Sequence, residues 1–211
     1  MTSADRRRVA TELVEQHGAA VYALCRALVR DDLVAEDLSQ DAFTRAFGAL
    51  DDFRGDASPR TWLLAIARNR CLDHLRARGR DLTDDAEPDA HASDAPDVLA
   101  LLTNRDDAAL ALSALDETSR ALVVLHFGHG VGYREFAEAF ALREGALRMR
   151  ISRALARMRD ALVADDDADY DACYAADLEE MASVAESAPA PLFEPMPATL
   201  HVRLQALAAA I

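Results

Sequence analysis

The stretch from Phe53 to Arg80, FRGDASPRTWLLAIARNRCLDHLRARGR, decides how the rest of the chain is read. It opens in a turn, enters a helix at Ser58-Pro59 and closes in a run of arginines. A serine hydroxyl caps the first free amides of a helix, and proline suits its first turn. On that helix Trp62, Ile66, Asn69, Asp73 and Arg76 recur every three or four residues and share one face. A second face carries Leu64, Ala67, Cys71 and Leu75, a core stripe. Periodicity leaves two readings open. The Trp62-to-Arg76 face is free for a partner, or the helix is buried on both sides and Asn69, Asp73 and Arg76 satisfy one another.

Working outward on the N-terminal side, Val9 to Arg30 predicts a helix on the stripe Val21, Leu24, Cys25 and Leu28, broken by Asp31-Asp32. Leu33 to Leu50 predicts a second, with Leu38, Ala42, Ala46 and Leu50 inward and Phe43 and Phe47 as a neighbouring pair. Its early turns hold Glu36, Asp37 and Asp41, where the helix dipole favours negative charge. With the 53–80 stretch these make an all-helical unit ending near Arg78. On the C-terminal side, residues 79–107 have few large apolar residues before Val98, contain Pro88 and Pro96, and are rich in aspartate, a linker composition. Only Val98 to Leu102 has the makings of a short helix.

Ala108 to Ala164 is a second helical block with a core from Leu110, Leu112, Leu115, Leu122, Val123 and Leu125. Gly128, Gly130 and Gly132 break the chain after Phe127. Tyr133 to Phe140, a short turn, and Glu144 to Arg159 then form a helix-turn-helix pattern. In its second helix Leu147, Ile151, Ala154 and Met158 face inward, flanked by Arg148, Arg150, Arg153 and Arg157. Such a basic helix can enter a major groove; an ordinary hairpin with a solvated arginine face is the alternative. In the remainder, Tyr170, Tyr174, Leu178 and Met181 predict one amphipathic helix. A proline hinge follows, and Leu200, Leu204, Leu207 and Ile211 predict another. These two apolar faces need something to pack against.

The net charge of −14 argues against a nucleic-acid binder until it is divided along the chain. Residues 1–78 are neutral and 108–164 carry +2, whereas 79–107 carry −7 and 165–211 carry −9. The acidity sits in the linker and the tail, which leaves the two helical blocks able to approach a polyanion. All 23 bases are arginine, a compositional bias throughout the chain rather than a mark of a DNA face. No stretch is long and apolar enough to span a membrane, and MTSADRRRVATELVEQ lacks the apolar run of a secretory signal, so a cytoplasmic protein without membrane insertion is expected. Cys25, Cys71 and Cys173 are widely separated and form no metal-binding spacing; Cys25 and Cys71 read as small core residues.

Together the two blocks resemble the extracytoplasmic-function (ECF) class of bacterial sigma factors, promoter-recognition subunits of RNA polymerase. AEDLSQDAFTRAFGALDDFRGDASPRTWLLAIARNRCLDHLRARGR is similar to sigma domain two, and LDETSRALVVLHFGHGVGYREFAEAFALREGALRMRISRALARMR to sigma domain four. The resemblance implies an all-α protein. Domain two occupies 1–80, an acidic linker 81–107, a helix-turn-helix domain four 108–164 and a helical C-terminal extension 165–211. It implies core RNA polymerase, promoter DNA and an anti-sigma factor as partners, and neither a cofactor nor catalysis. Asp37, Leu38, Gln40, Asp41 and Phe43 match the segment that docks on the largest polymerase subunit. Phe53, Arg54, Gly55 and Asp56 match the loop that captures a flipped base of the minus-ten element, and Trp62, Asn69, Asp73 and Arg76 the segment that melts and reads it. Asp73 is expected in a supporting role, orienting Arg76 or Asn69. Arg143, Arg148, Met149, Arg150 and Arg153 occupy recognition-helix positions facing the minus-thirty-five element.

The chain departs from the family pattern at the helix-turn-helix. The usual turn glycine is Ala141, the usual serine or threonine cap is Arg143, and the Thr and Ser further on are Ala146 and Met149. The linker carboxylates either imitate RNA phosphates near the exit path or form a solvated spacer. The final segment faintly resembles one that follows the sigma-binding domain of some anti-sigma factors. A tail folded back on a sigma domain, its acids competing for DNA-facing arginines, is one expectation; an interaction or solubilising tail is the other. Two further readings compete. A helix-turn-helix regulator acting without polymerase leaves Phe53–Arg80 unexplained, and an enzyme built on His126 and His129 lacks a base–nucleophile set.

Overall fold

A computed structural model describes residues 2–79, 102, 105–173 and 195–211, with side chains described outside 165–173. Every regular element among these residues is helical. Helix α1 (Ser3–Val29) starts at Thr2, whose hydroxyl accepts the Asp5 amide at 3.1 Å while the Asp5 carboxylate accepts the Thr2 amide in return. It ends where Arg30 turns left-handed, and Asp31 then caps α2 (Asp32–Gly48) through the Val34 amide. The predicted break at Asp31-Asp32 is therefore a junction of two caps, Arg30 ending α1 and Asp31 starting α2. A 3-10 turn (Leu50–Asp52) leads to the loop before α3 (Pro59–Ala77), where Ser58 accepts the Thr61 amide at 3.1 Å, as its sequence predicts.

Helix α1 is the axis. Val21, Tyr22, Leu24, Cys25 and Leu28 are almost wholly buried, enclosed by α2 and α3. Each leucine-sized side chain so buried contributes about 1.5–3 kcal/mol. Cys25 and Cys71 are both buried free thiols in this core, and the Cys71 thiol is pushed up by the neighbouring Cys25 and by burial. Both are core residues, as expected.

The second block comprises α4 (Arg105–Ser113), α5 (Glu117–Val123), a π-turn (Val124–Gly128), α6 (Tyr133–Phe140) and α7 (Glu144–Cys173). Helix α4 begins three residues before the predicted start at Ala108. Helix α7 runs unbroken past Ala164, so the predicted boundary falls inside a helix. Leu162 is still packed with Met158 and Ala154 against α4, and neither glycine nor proline follows before Cys173. The linker residues 80–101, including most of Val98–Leu102, lie outside the described residues, as do Tyr174, Leu178 and Met181. Helix α8 (Ala198–Ala209) forms where its stripe predicts and buries Leu200, Leu204 and Ala208.

The blocks do not stand apart. Leu122, Leu125, Phe136, Phe140 and Leu147 share one core with α1–α3 and α8. Arg120, only 7% exposed, donates to the Ala27 carbonyl on α1 at 2.9 Å and to the carbonyls of Leu112 and Leu115. Such a guanidinium tolerates burial because its donors are satisfied. Arg60 at the start of α3 donates to both Glu135 oxygens and to the carbonyls of His129 and Gly130, and Arg68 lies over the Phe140 ring.

Candidate functional site

Helix α3 presents its polar stripe outward. Asn69, Asp73 and Arg76 are exposed, and Trp62 and Ile66 are half-buried. Arg60 and Arg68, each about 200° of helix rotation from Trp62 and Ile66, face α6 instead. The second block thus covers the far side of α3 and leaves the stripe open. Asp73 lies 3.2 Å from Arg70 and 3.8 Å from Arg76, so its charge is answered within the helix. That fits a supporting carboxylate with respect to Arg76. Arg70 also bonds Asp41, tying α2 to α3.

The Phe53 ring sits 4.7 Å from the Trp62 ring, at the apolar end of the stripe. Arg54, Gly55 and Asp56 form the exposed loop tip beside it. Gly55 holds φ +77, a conformation that disfavours a side chain. An aromatic pair, an exposed loop and a polar stripe therefore form one continuous surface, suited to stacking and base-edge contacts with single-stranded nucleic acid.

The predicted docking residues of α2 divide by burial. Asp37 is exposed, and Gln40 and Asp41 are half-buried. Leu38 is 7% exposed and Phe43 is enclosed entirely, with its ring 5.7 Å from that of Phe47. Leu38 and Phe43 thus belong to the core and shape the face from beneath. Leu38 and Phe43 lie about 140° apart around α2, and both are buried because α2 packs against both α1 and α3. Helix α8 lies across this face, and Arg203 donates to Glu36 at 3.2 Å, to Asp37 at 3.3 Å and to Gln40.

The arginines of α7 divide in the same way. Arg143 and Arg148 are exposed; Arg148 bonds Glu144 at 2.6 Å and lies 4.8 Å over the Tyr133 ring. Met149 is half-buried. Arg150 points the other way, bonding Asp116 at 3.0 Å and Ser119 at 3.1 Å. Its predicted place on the groove-facing side is corrected: two residues along a helix are about 200° apart, so Arg148 and Arg150 cannot share a face. Arg153 is half-buried and donates to the Met149 carbonyl at 3.4 Å. Burial opposes ionisation of Asp116, but the Ser119 hydroxyl and amide and the Arg150 charge outweigh it and hold its carboxyl below the usual range.

The turn before α7 is made by Ala141 at φ 54, the left-handed geometry that the family's glycine adopts without strain. Arg143 supplies only its carbonyl to the first turn, accepting the Leu147 amide at 3.1 Å. Its side chain has no acceptor with which to cap α7.

Around the Arg60 clamp, burial of Glu135 opposes its ionisation. The Arg60 bond and charge and the Gly132 amide prevail, and its pKa is lowered. Burial first, and then the Arg60 charge, lower the pKa of both His17 and His129. His126 donates from Nδ1 to the Val131 carbonyl at 2.8 Å and packs among Phe127, Tyr133 and Phe136, an arrangement that holds the turn.

The sequence reading passed over Arg60, Arg120 and Arg203, whose partners lie far away along the chain. Arg203 alone carried a signal, as the one base among the ten acids of residues 165–211.

Comparison with known proteins gives this arrangement a family. The model of sigma-70 region 2 matches residues 13–81, and that of sigma-70 region 4 matches residues 105–158. The ECF RNA polymerase sigma factor SigC of Mycobacterium tuberculosis is 36% identical over 143 residues, covering 64% of this chain and 71% of SigC. The chain belongs to the ECF sigma factors. This sigma factor is also 36% identical over 150 residues to the probable RNA polymerase sigma factor RfaY of Xanthomonas campestris, covering 68% of its own length and 38% of RfaY. Among solved structures it resembles CnrH in complex with the cytosolic domain of CnrY, with 30% identity and a TM-score of 0.54 over 77% of this chain and 95% of that one. Sigma factors direct promoter recognition rather than catalyse a reaction. Region 2 spans α1–α3 and region 4 spans α4–α7 as far as Met158, so both predicted sigma domains are present in the predicted order.

Proposed function

We propose that this sigma factor docks on core RNA polymerase through Asp37, Gln40 and Asp41 of α2, with Leu38 and Phe43 setting that face from within. It opens the minus-ten element with Phe53, Arg54, Gly55, Asp56, Trp62, Asn69 and Arg76, while Asp73 positions Arg76. The observation that carries this is the open α3 stripe, continuous with the Phe53–Trp62 pair. A base extruded onto that pair loses a few kcal/mol of stacking and pairing, offset by the new stack and edge contacts. Arg143, Arg148 and Met149 of α7 read the minus-thirty-five element, and Arg153 borders that surface. A good arginine–guanine pair supplies about 1–3 kcal/mol of discrimination.

The functional divisions are 1–80 for polymerase and minus-ten contacts, 81–107 for the linker, 108–164 for the helix-turn-helix and 165–211 for the extension, the last two joined through α7. The working compartment is the cytoplasm, in keeping with the lack, among the described residues, of any helix long and apolar enough to cross a membrane. An anti-sigma factor is a further proposed partner, supported by the likeness to CnrH bound to CnrY. A helix-turn-helix regulator independent of polymerase would leave the region 2 match without a purpose. Run-off transcription with core polymerase on the protein's own upstream region tests the proposal. Specific transcripts are expected, and no transcript together with no complex with core polymerase refutes it.

A further inference from the structure

Helix α8 covers the same surface of α2 that is proposed to dock the polymerase. Leu200, Leu204 and Ala208 are fully buried against α1 and α2, and Leu207 and Ile211 are half-buried beside them. Just ahead of α8, Met196 packs on α1 at Gly18, where an added Cβ would stand 3.4 Å from the Met196 sulfur. The apolar stripe seats the helix and the polar contact orients it. Arg203 reaches Glu36, Asp37 and Gln40 together, three side chains in two successive turns of α2.

The charge pattern sharpens the point. Residues 165–211 carry ten acids, yet the segment that reaches the acidic face of α2 brings the one base. Arg203 of the tail meets acids of α2, while the ten tail acids lie outside the residues whose side chains the structure describes.

We infer that α8 is a built-in mask of the polymerase-docking face, held there by its leucine stripe and by Arg203. The inference rests on the proposed docking role of Asp37 and Gln40. The same α2 side chains cannot hold Arg203 and a polymerase subunit at once, so the docking-competent form is the fraction with α8 lifted. Apparent affinity for core polymerase is reduced by that fraction. Being part of the same chain, α8 returns to its seat at a high effective concentration, which a separate peptide lacks.

The test uses the full-length chain in three forms: wild type, Arg203→Glu, and the double substitution Leu200→Asp with Leu204→Asp. Affinity for core RNA polymerase is measured at constant salt. Hydrogen exchange of α2 and α8 is followed without polymerase, and circular dichroism checks the fold. The double variant is expected to bind core about tenfold more tightly, and Arg203→Glu about threefold, each with faster exchange in α8. Unchanged affinity with α8 released overturns the mask while leaving the docking reading intact. Failure of every form to bind core, again with α8 released, overturns the docking reading and the mask with it. Should the double variant lose its helical signal, Arg203→Glu decides alone. It leaves the apolar seat untouched, and an affinity equal to wild type overturns the inference.

Discussion

Helices α3 and α7 are the two proposed promoter readers, and they are built differently. Helix α3 begins at a serine cap with proline in its first turn, and its polar stripe faces outward with its one carboxylate already answered by neighbouring arginines. Helix α7 begins after a strained left-handed alanine, behind an arginine that cannot cap it, and spends Arg150 on holding Asp116. The difference teaches that a basic run does not define a DNA face. On α3, residues three and four apart stay together on one side. On α7, arginines two apart are driven to opposite sides, one toward solvent and one toward the protein.

The sharpest way to break this contrast is at Arg148 and Arg150. Arg150→Ala is expected to lower unfolding stability by about 1.5–3 kcal/mol, because it removes the charge-assisted bond to half-buried Asp116, which keeps only its Ser119 bonds and the more distant Arg157, while leaving base preference unchanged. Arg148→Ala is expected to keep stability within about 0.5 kcal/mol and to lose about 1–3 kcal/mol of discrimination at one minus-thirty-five position. Urea unfolding and binding to a promoter series separate the two, and swapped outcomes would overturn the assignment of faces.

The caps come next. Ser58→Ala should cost about 1 kcal/mol, and Arg143→Ser should gain about the same by giving α7 the acceptor it lacks. Thermal unfolding of each variant reads both, and a loss on Arg143→Ser would show that the arginine side chain already has a structural use. A smaller gain, about 0.4–1 kcal/mol, is expected for Ala141→Gly, which relieves the left-handed turn without touching a contact.

The smallest effect is on pH. His17 and His129 beside the Arg60 clamp have folded pKa values below their ordinary 6.5, so the folded chain resists their protonation and the unfolded chain does not. Their contribution is complete above about pH 6.5 and is lost as pH falls through the lowered folded values. Glu135 acts in the same direction, but only below its ordinary 4.5. Stability is expected to fall as pH drops below about 6.5, with a shallower slope in His129→Gln. A rise on acidification would contradict the neutral state of both rings.

Much of the fold was legible because local rules settle it. Ser58 caps α3 from a hydrogen bond within three residues, and the Leu200–Leu204 stripe declares a helix that must be covered, whereas α1 begins at Ser3, six residues ahead of the predicted Val9, behind the Thr2–Asp5 capping box. Leu38 and Phe43 were harder, since a sequence motif shared by a docking segment mixes residues that touch a partner with residues that shape the surface from below. The end of α7 was misjudged because tail composition outweighed the lack of any breaker between Ala164 and Cys173.

The sequence alone determined most of the helices, the Ser58 cap, the order of the two sigma regions and the stripe on α3, all of which follow from local spacing. Only the tertiary structure decided that the two blocks share a core, that Arg60 and Arg120 tie them, and that α8 lies over the acidic face of α2. Those contacts join residues far apart in the chain. Nothing in local periodicity says which buried stripe meets which, because apolar burial is non-directional and any leucine stripe of the right width will cover another.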